Sequence, residues 1–237
     1  MKIYVVGSSK NKFLPLDNIR EKFLIDEKHE GDNIDFLNPW YCELTGLYYL
    51  WKHVDDDIVG LEHYRTYFYK NNKLIDENEI SNILKTNDII LGGFQFPIWK
   101  HNTLREDLEK NITIGKEKLN TFLNVLKNKD IDFYNFFTNY INGNKLYSGN
   151  MFIGKKSILE NWFSFLLDVL VDYEQICKIS PLDSKTFRRE GYLAEFMFGA
   201  WILYNKYKIK EYPIKKFTRN LKGTEFLFNG TEYKVGK

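Results

Sequence analysis

A chain of 237 residues that is 43% hydrophobic and 28% charged has globular composition, which excludes a disordered or fibrous protein and leaves room for one large domain or two small ones. Its net charge of +2 supplies no strong field for nucleic acid. Two cysteines, Cys42 and Cys177, and four histidines, His29, His53, His63 and His101, form neither a disulfide framework nor a metal-ligand spacing.

In chain order, Ile3 to Val6 reads as a first, central strand closed by the small residues Gly7-Ser8-Ser9, a loop that lets a base or phosphate approach the backbone. No cationic segment and long apolar run follow Met1, so no signal peptide is expected and the predicted location is cytoplasmic. Leu16-Asp17-Asn18 can cap a short helix to about Phe23, with a second strand from Phe23 to Asp26. Glu27 to Phe36 is turn-like and contains Gly31-Asp32-Asn33. Asn38 can cap a helix that takes Pro39 in its first turn and carries a core stripe of Leu44, Leu47, Tyr48 and Trp51. Glu43 lies off that stripe and is either paired at its edge or aimed into a cleft. Asp55-Asp56-Asp57 ends the helix as a solvated turn, and Ile58 to Leu61 is a short buried strand running into Glu62-His63-Tyr64-Arg65.

Asp76 with Glu79 predicts a capping box and a helix to about Lys85. Ile89 to Gly93 is a strand, and Phe94 to Asn102 an aromatic loop with Trp99 and His101. Thr103 to Lys127 is an interrupted helix and Ile131 to Ile141 an aromatic one. Leu146 to Ile153 reads as a strand pair broken at Ser148-Gly149-Asn150. Ser157 opens a long helix with Leu159, Phe163, Leu166 and Leu170 on its core face, and a loop carrying Asp183 follows. The next helix, from Phe187 to Tyr204, places Arg188, Tyr192, Glu195 and Gly199 on one stripe away from its core face. Lys208 to Pro213 is a last strand, and Asn229-Gly230 signals a hairpin in the tail. Apolar runs are too short to span a bilayer.

Strands alternating with helices predict an α/β fold in one domain over 1–237, with a mostly parallel central sheet flanked by helices and antiparallel additions at its edge. A strand that ends in a dense polar cluster is where such folds place chemistry. Along it, Glu62 and Tyr64 share one direction and His63 and Arg65 the other. Arg pairs phosphate oxygens with a planar fork, and His can donate to phosphate, bind metal or move a proton. The same residues also suit a structural Glu62–Arg65 pair, as Arg188, Tyr192 and Glu195 suit a surface network. Walker A, GxGxxG, GxSxG and HExxH motifs are absent from the sequence. No Asp-x-Asp closes an apolar strand, so no cofactor is firmly predicted; a divalent cation, manganese or magnesium, has no clear site.

The stretch YCELTGLYYLWK followed by IVGLEHYRTYF resembles the hallmark of a family associated with capsular polysaccharide and O-antigen synthesis, of the domain-of-unknown-function 4422 type. GDNI at 31–34, LYSGNMFIGKK at 146–156 and GYLAE at 191–195 are similar too, so the resemblance runs from the first strand to about Pro213. It departs at Thr66, where a second Arg is frequent, and at Glu62, where a Cys is common.

The resemblance implies a GT-A-like glycosyltransferase. Its donor would be a nucleotide sugar, UDP-galactofuranose or another UDP-hexose. Its acceptor would be a glycan or lipid-linked glycan, met at the inner face of the membrane by peripheral association. On that reading Gly7, Ser8, Asp32, Asn33, Glu62, Tyr64 and Arg188 hold the donor, and His63 and Arg65 neutralise the diphosphate. Trp99, Ser148, Asn150, Tyr192 and Glu43 shape the sugar and acceptor cleft. Glu195, with Asp183 second, takes the acceptor proton if the reaction inverts. The rival readings are a non-catalytic carbohydrate-binding or scaffold protein and, against the near-neutral charge, a nucleic-acid binder.

Overall fold

The computed structural model describes residues 1–93, 101–147, 149–177, 187–219, 225–228 and 231–234. β1 (Lys2–Gly7) is buried along nearly its whole length, as a strand covered on both faces must be. β2 (Arg20–Leu24) runs parallel to it, with Ile3 opposite Arg20. This strand replaces the short helix expected from Asp17. Pairing with β1 overrides the local capping signal, and Asp17 instead accepts from Arg20 Nη1 at 2.6 Å.

The helix expected from Asn38 is two helices, α1 (Asn38–Tyr41) and α2 (Leu44–His53). Cys42, with φ of 51°, breaks them, and Asn38 makes no cap bond. Leu44, Leu47 and Leu50 form the buried stripe, with Tyr48 and Trp51 at its border. β3 (Ile58–His63) lies parallel to β1 on the side away from β2. The chain then reverses over Tyr64-Arg65 into β4 (Thr66–Lys70), which pairs with β5 (Lys73–Leu74). α3 (Glu77–Leu84) begins at the predicted cap: Asp76 Oδ1 accepts from the Glu79 N–H at 2.9 Å. β6 (Ile89–Gly92) follows.

The long charged helix is interrupted where Asn111 Oδ1 accepts from the N–H groups of Thr113 and Ile114, giving α4 (Leu104–Lys110) and α5 (Gly115–Lys129). α6 (Ile131–Ile141), β7 (Phe152–Lys155) and α7 (Lys156–Cys177) come next, and the four predicted core residues of α7 are all buried. α8 (Arg189–Tyr204) is buried almost all round, so it runs through the interior. β8 (Ile209–Tyr212), β9 (Ile214–Lys216), β10 (Thr218–Arg219), β11 (Glu225–Phe228) and β12 (Thr231–Lys234) finish the chain. β11 and β12 form the expected hairpin; Asn229 and Gly230 lie outside the described residues.

The central sheet has the order β2-β1-β3-β7-β6-β8. Its pairs are parallel except where β7 lies antiparallel between β3 and β6. The segment expected as a strand pair at 146–153 therefore supplies one strand, and that strand is interior. β4, β5 and β9 are the antiparallel additions. One face carries the larger core, with Tyr4, Val6, Leu61 and Phe152 against the helices. The other carries Ile3, Ile90, Ile153 and Phe68 with α3. This alternation decides where the side chains at the end of β3 go. Among the described residues, no helix is long and apolar enough to cross a membrane.

Candidate functional site

The carboxyl ends of β1 and β3 open on a cavity of about 310 Å³ lined by Gly7, Ser8, Asn38, Glu43, His63 and Tyr64. It meets a second cavity, of about 430 Å³, lined by Tyr192, Glu195, His101 and Asp107. Phe187 and Arg188 line both. Gly7 is closely packed: a Cβ there would lie 2.8 Å from Phe13 Cζ and from Tyr64 Cβ. β7 is antiparallel, so its entry turn at Gly149-Asn150 reaches the same edge of the sheet. Both residues have positive φ, 85° and 50°, a conformation that Gly and Asn tolerate best.

That turn is the hub. The Gly149 carbonyl lies 2.5 Å from His63 Nε2. A carbonyl only accepts, so Nε2 carries the proton and Nδ1 is left to face the cavity contents. The Gly149 N–H donates to Glu195 Oε1 at 2.7 Å, and Asn150 Nδ2 donates to Glu43 Oε1 at 2.9 Å. Burial, then the Glu43 charge, pushes the Glu195 carboxyl up to about 7, against the pull of the Gly149 N–H and Arg188. Arg188 opens α8 with φ of 62° and stacks 5.4 Å from the Tyr192 ring. Burial works against its charge, but Cys42, Tyr192 and Glu43 outweigh it. Burial pushes the Cys42 thiol up to about 12, which disqualifies it as a nucleophile. The Oδ1 atoms of Asn38 and Asn150 are buried and have no partner among the described residues, as polar atoms awaiting a ligand do.

Gly7, Ser8, Glu43, His63, Tyr64, Asn150, Arg188, Tyr192 and Glu195 thus come together at one edge. Four predicted residues do not. Glu62 faces the opposite side of the sheet, fully buried, where Arg20 Nε donates to it at 2.7 Å and the Phe68 N–H at 3.0 Å. Arg65 occupies the exposed β3–β4 turn and lines neither cavity, so it pairs neither with Glu62 nor with a ligand there. Asp32 accepts from the Tyr48 hydroxyl at 2.8 Å, and Asn33 Nδ2 donates to the His29 carbonyl at 2.8 Å, so both fold their own turn. Trp99, Ser148 and Asp183 lie outside the described residues.

The sequence reading missed Asn38 as a cavity residue, Phe187, and the His101–Asp107 pair; Asp107 in the first turn after the Thr103 cap was the available signal. Asp55-Asp56-Asp57 precedes β3, at the edge away from the cavities. Among the described residues no three His, Cys, Asp or Glu side chains are grouped to hold a metal ion.

Residues 2–206 match the family described as Domain of unknown function (DUF4422). No curated protein matches the chain. Among solved structures, the apo structure of the WbbM bifunctional glycosyltransferase is similar, with a TM-score of 0.77 and 21% identity over 99% of this chain. The chain spans about half of that protein, 47% of its length. At this identity the likeness is one of fold, and the expected GT-A-like α/β architecture is the one the chain has.

Proposed function

This chain belongs to the DUF4422 family, and on that premise we propose that it is a glycosyltransferase using a nucleotide-sugar donor. The observation that carries the reading is the Gly149-Asn150 turn, which ties two carboxylates and an imidazole together where parallel strands end. The cavity at Gly7, Ser8, Asn38 and Tyr64 takes the nucleotide. Arg188 faces the diphosphate, whose charge grows as it leaves; His63, with its Nε2–H held by Gly149, presents Nδ1 as an acceptor to a hydroxyl of the donor. In a direct displacement with inversion, the acceptor hydroxyl oxygen bonds to the anomeric carbon while the bond from that carbon to the phosphate oxygen breaks. Glu195 takes the hydroxyl proton, a task that suits a carboxyl titrating near neutrality.

The donor we favour is UDP-galactofuranose or another UDP-hexose, and the product a surface glycan of the capsule, exopolysaccharide or O-antigen kind. Residues 1–237 act as one domain, on the cytoplasmic side and at the membrane face when the acceptor is lipid-linked.

A panel of sugar nucleotides, assayed for release of nucleoside diphosphate with and without chelator, tests this. We expect release from at least one donor, reduced about 10²–10³-fold in Arg188→Ala. Calorimetry in which no nucleoside diphosphate binds would overturn the reading in favour of a carbohydrate-binding protein.

A further inference from the structure

His101 and Asp107 line the larger cavity together with the proposed base and have no part in the chemistry above. Asp107 is buried, and the His101 Nδ1–H donates to its Oδ1, while its Oδ2 has no partner among the described residues. A carboxylate on Nδ1 fixes the imidazole tautomer and leaves Nε2 as a hydrogen-bond acceptor. Nε2 has no partner among the described residues, and the half-buried ring lines the cavity.

The other walls narrow what the cavity can hold. Lys110 is turned toward Glu106, 3.7 Å away. Arg188 lies where this cavity shares its wall with the smaller one, and is assigned to the donor diphosphate there; beyond it the contents meet two carboxylates, a phenol and an imidazole, a set that suits hydroxyl groups. Ile112 and Phe187 are at the mouth, 92% and 50% exposed, and offer apolar surface to the C–H faces of a ring. The volume of about 430 Å³ is that of a small-molecule site.

We propose that this cavity is the acceptor-sugar site and that His101, held by Asp107, accepts a hydrogen bond from an acceptor hydroxyl and so orients the sugar toward Glu195. The inference rests on the transferase reading.

The test is NMR on the full chain. Methyl glycosides of galactose, glucose, mannose and rhamnose are titrated in turn while the His101 ring resonance is followed, assigned by its loss in His101→Gln. We expect a saturable shift with at least one glycoside, and about tenfold weaker binding of that glycoside in both His101→Gln and Asp107→Asn, with unchanged affinity for UDP. His101→Gln alters a half-buried side chain, so it guards against Asp107→Asn simply unfolding. A resonance that no glycoside moves, in a sample that binds a nucleoside diphosphate, overturns the inference and leaves the transferase reading standing. Equal glycoside affinity in wild type and both variants also overturns it. Glycoside binding without nucleoside diphosphate binding sinks the transferase reading and, with it, the assignment of this cavity as an acceptor site.

Discussion

Glu62 and Glu195 are both enclosed carboxylates, one on each side of the central sheet, and they have opposite fates. Glu62 is saturated: Arg20 donates to both its oxygens, the Phe68 N–H joins them, and it lines neither of the two cavities described. Burial raises its pKa, and the Arg20 charge and hydrogen bonds pull the other way. Glu195 has one backbone donor, a second carboxylate nearby and an open cavity in front. A closed set of partners makes scaffold, and an unfinished set makes a site. His63 is next to Glu62 in sequence and belongs with Glu195, because one step along a strand changes the face.

The contrast is breakable. Glu195→Gln removes the base and keeps the shape, so transfer should fall about 10²–10⁴-fold with the fold intact. Near-normal turnover would erase the distinction between the two carboxylates. Glu62→Ala leaves the buried Arg20 with the half-exposed Asp17 as its remaining counter-charge and should cost about 3 kcal/mol in urea unfolding. Turnover per folded molecule should hold; a loss of turnover without a loss of stability would move Glu62 into the site.

The pH response sharpens the comparison. The folded pKa of Glu195, about 7, lies above the ordinary carboxyl range. Its stabilising contribution is therefore complete below the unfolded value and is lost as pH rises through about 7. Glu195→Gln should match wild type in thermal midpoint in mild acid and exceed it in mild alkali. Transfer by wild type should climb over the same interval, as the base form appears. The smallest effect belongs to Arg65→Ala, which should change stability by less than about 0.5 kcal/mol and leave transfer unchanged.

Much of this was legible. Hydrophobic periodicity gave α7 and its buried face, and the Asp76 cap gave α3. The Arg188-Tyr192-Glu195 spacing put those three on the cleft side of α8. What stayed hidden depended on backbone geometry without a local signal. The turn at Tyr64-Arg65 contains no Gly, Asn or Pro, so Arg65 read as an inward strand residue. Cys42 adopts positive φ without being glycine, so two helices read as one. Asp32 and Asn33 are common ligand residues and equally common turn residues, and only their bonds to Tyr48 and His29 decide between the two. His101 and Asp107 are separated by a helix cap, which no helical or strand spacing brings together.

Gly149 has a consequence for redesign. Its carbonyl positions His63 and its N–H positions Glu195, so a single pair of backbone torsions sets the imidazole and the carboxylate relative to each other. The donor half and the acceptor half of the cleft are therefore not independent modules. A library that varies donor contacts on one side and acceptor contacts on the other should recombine freely only while this residue keeps its φ of 85°. Any side chain added there detunes both halves together.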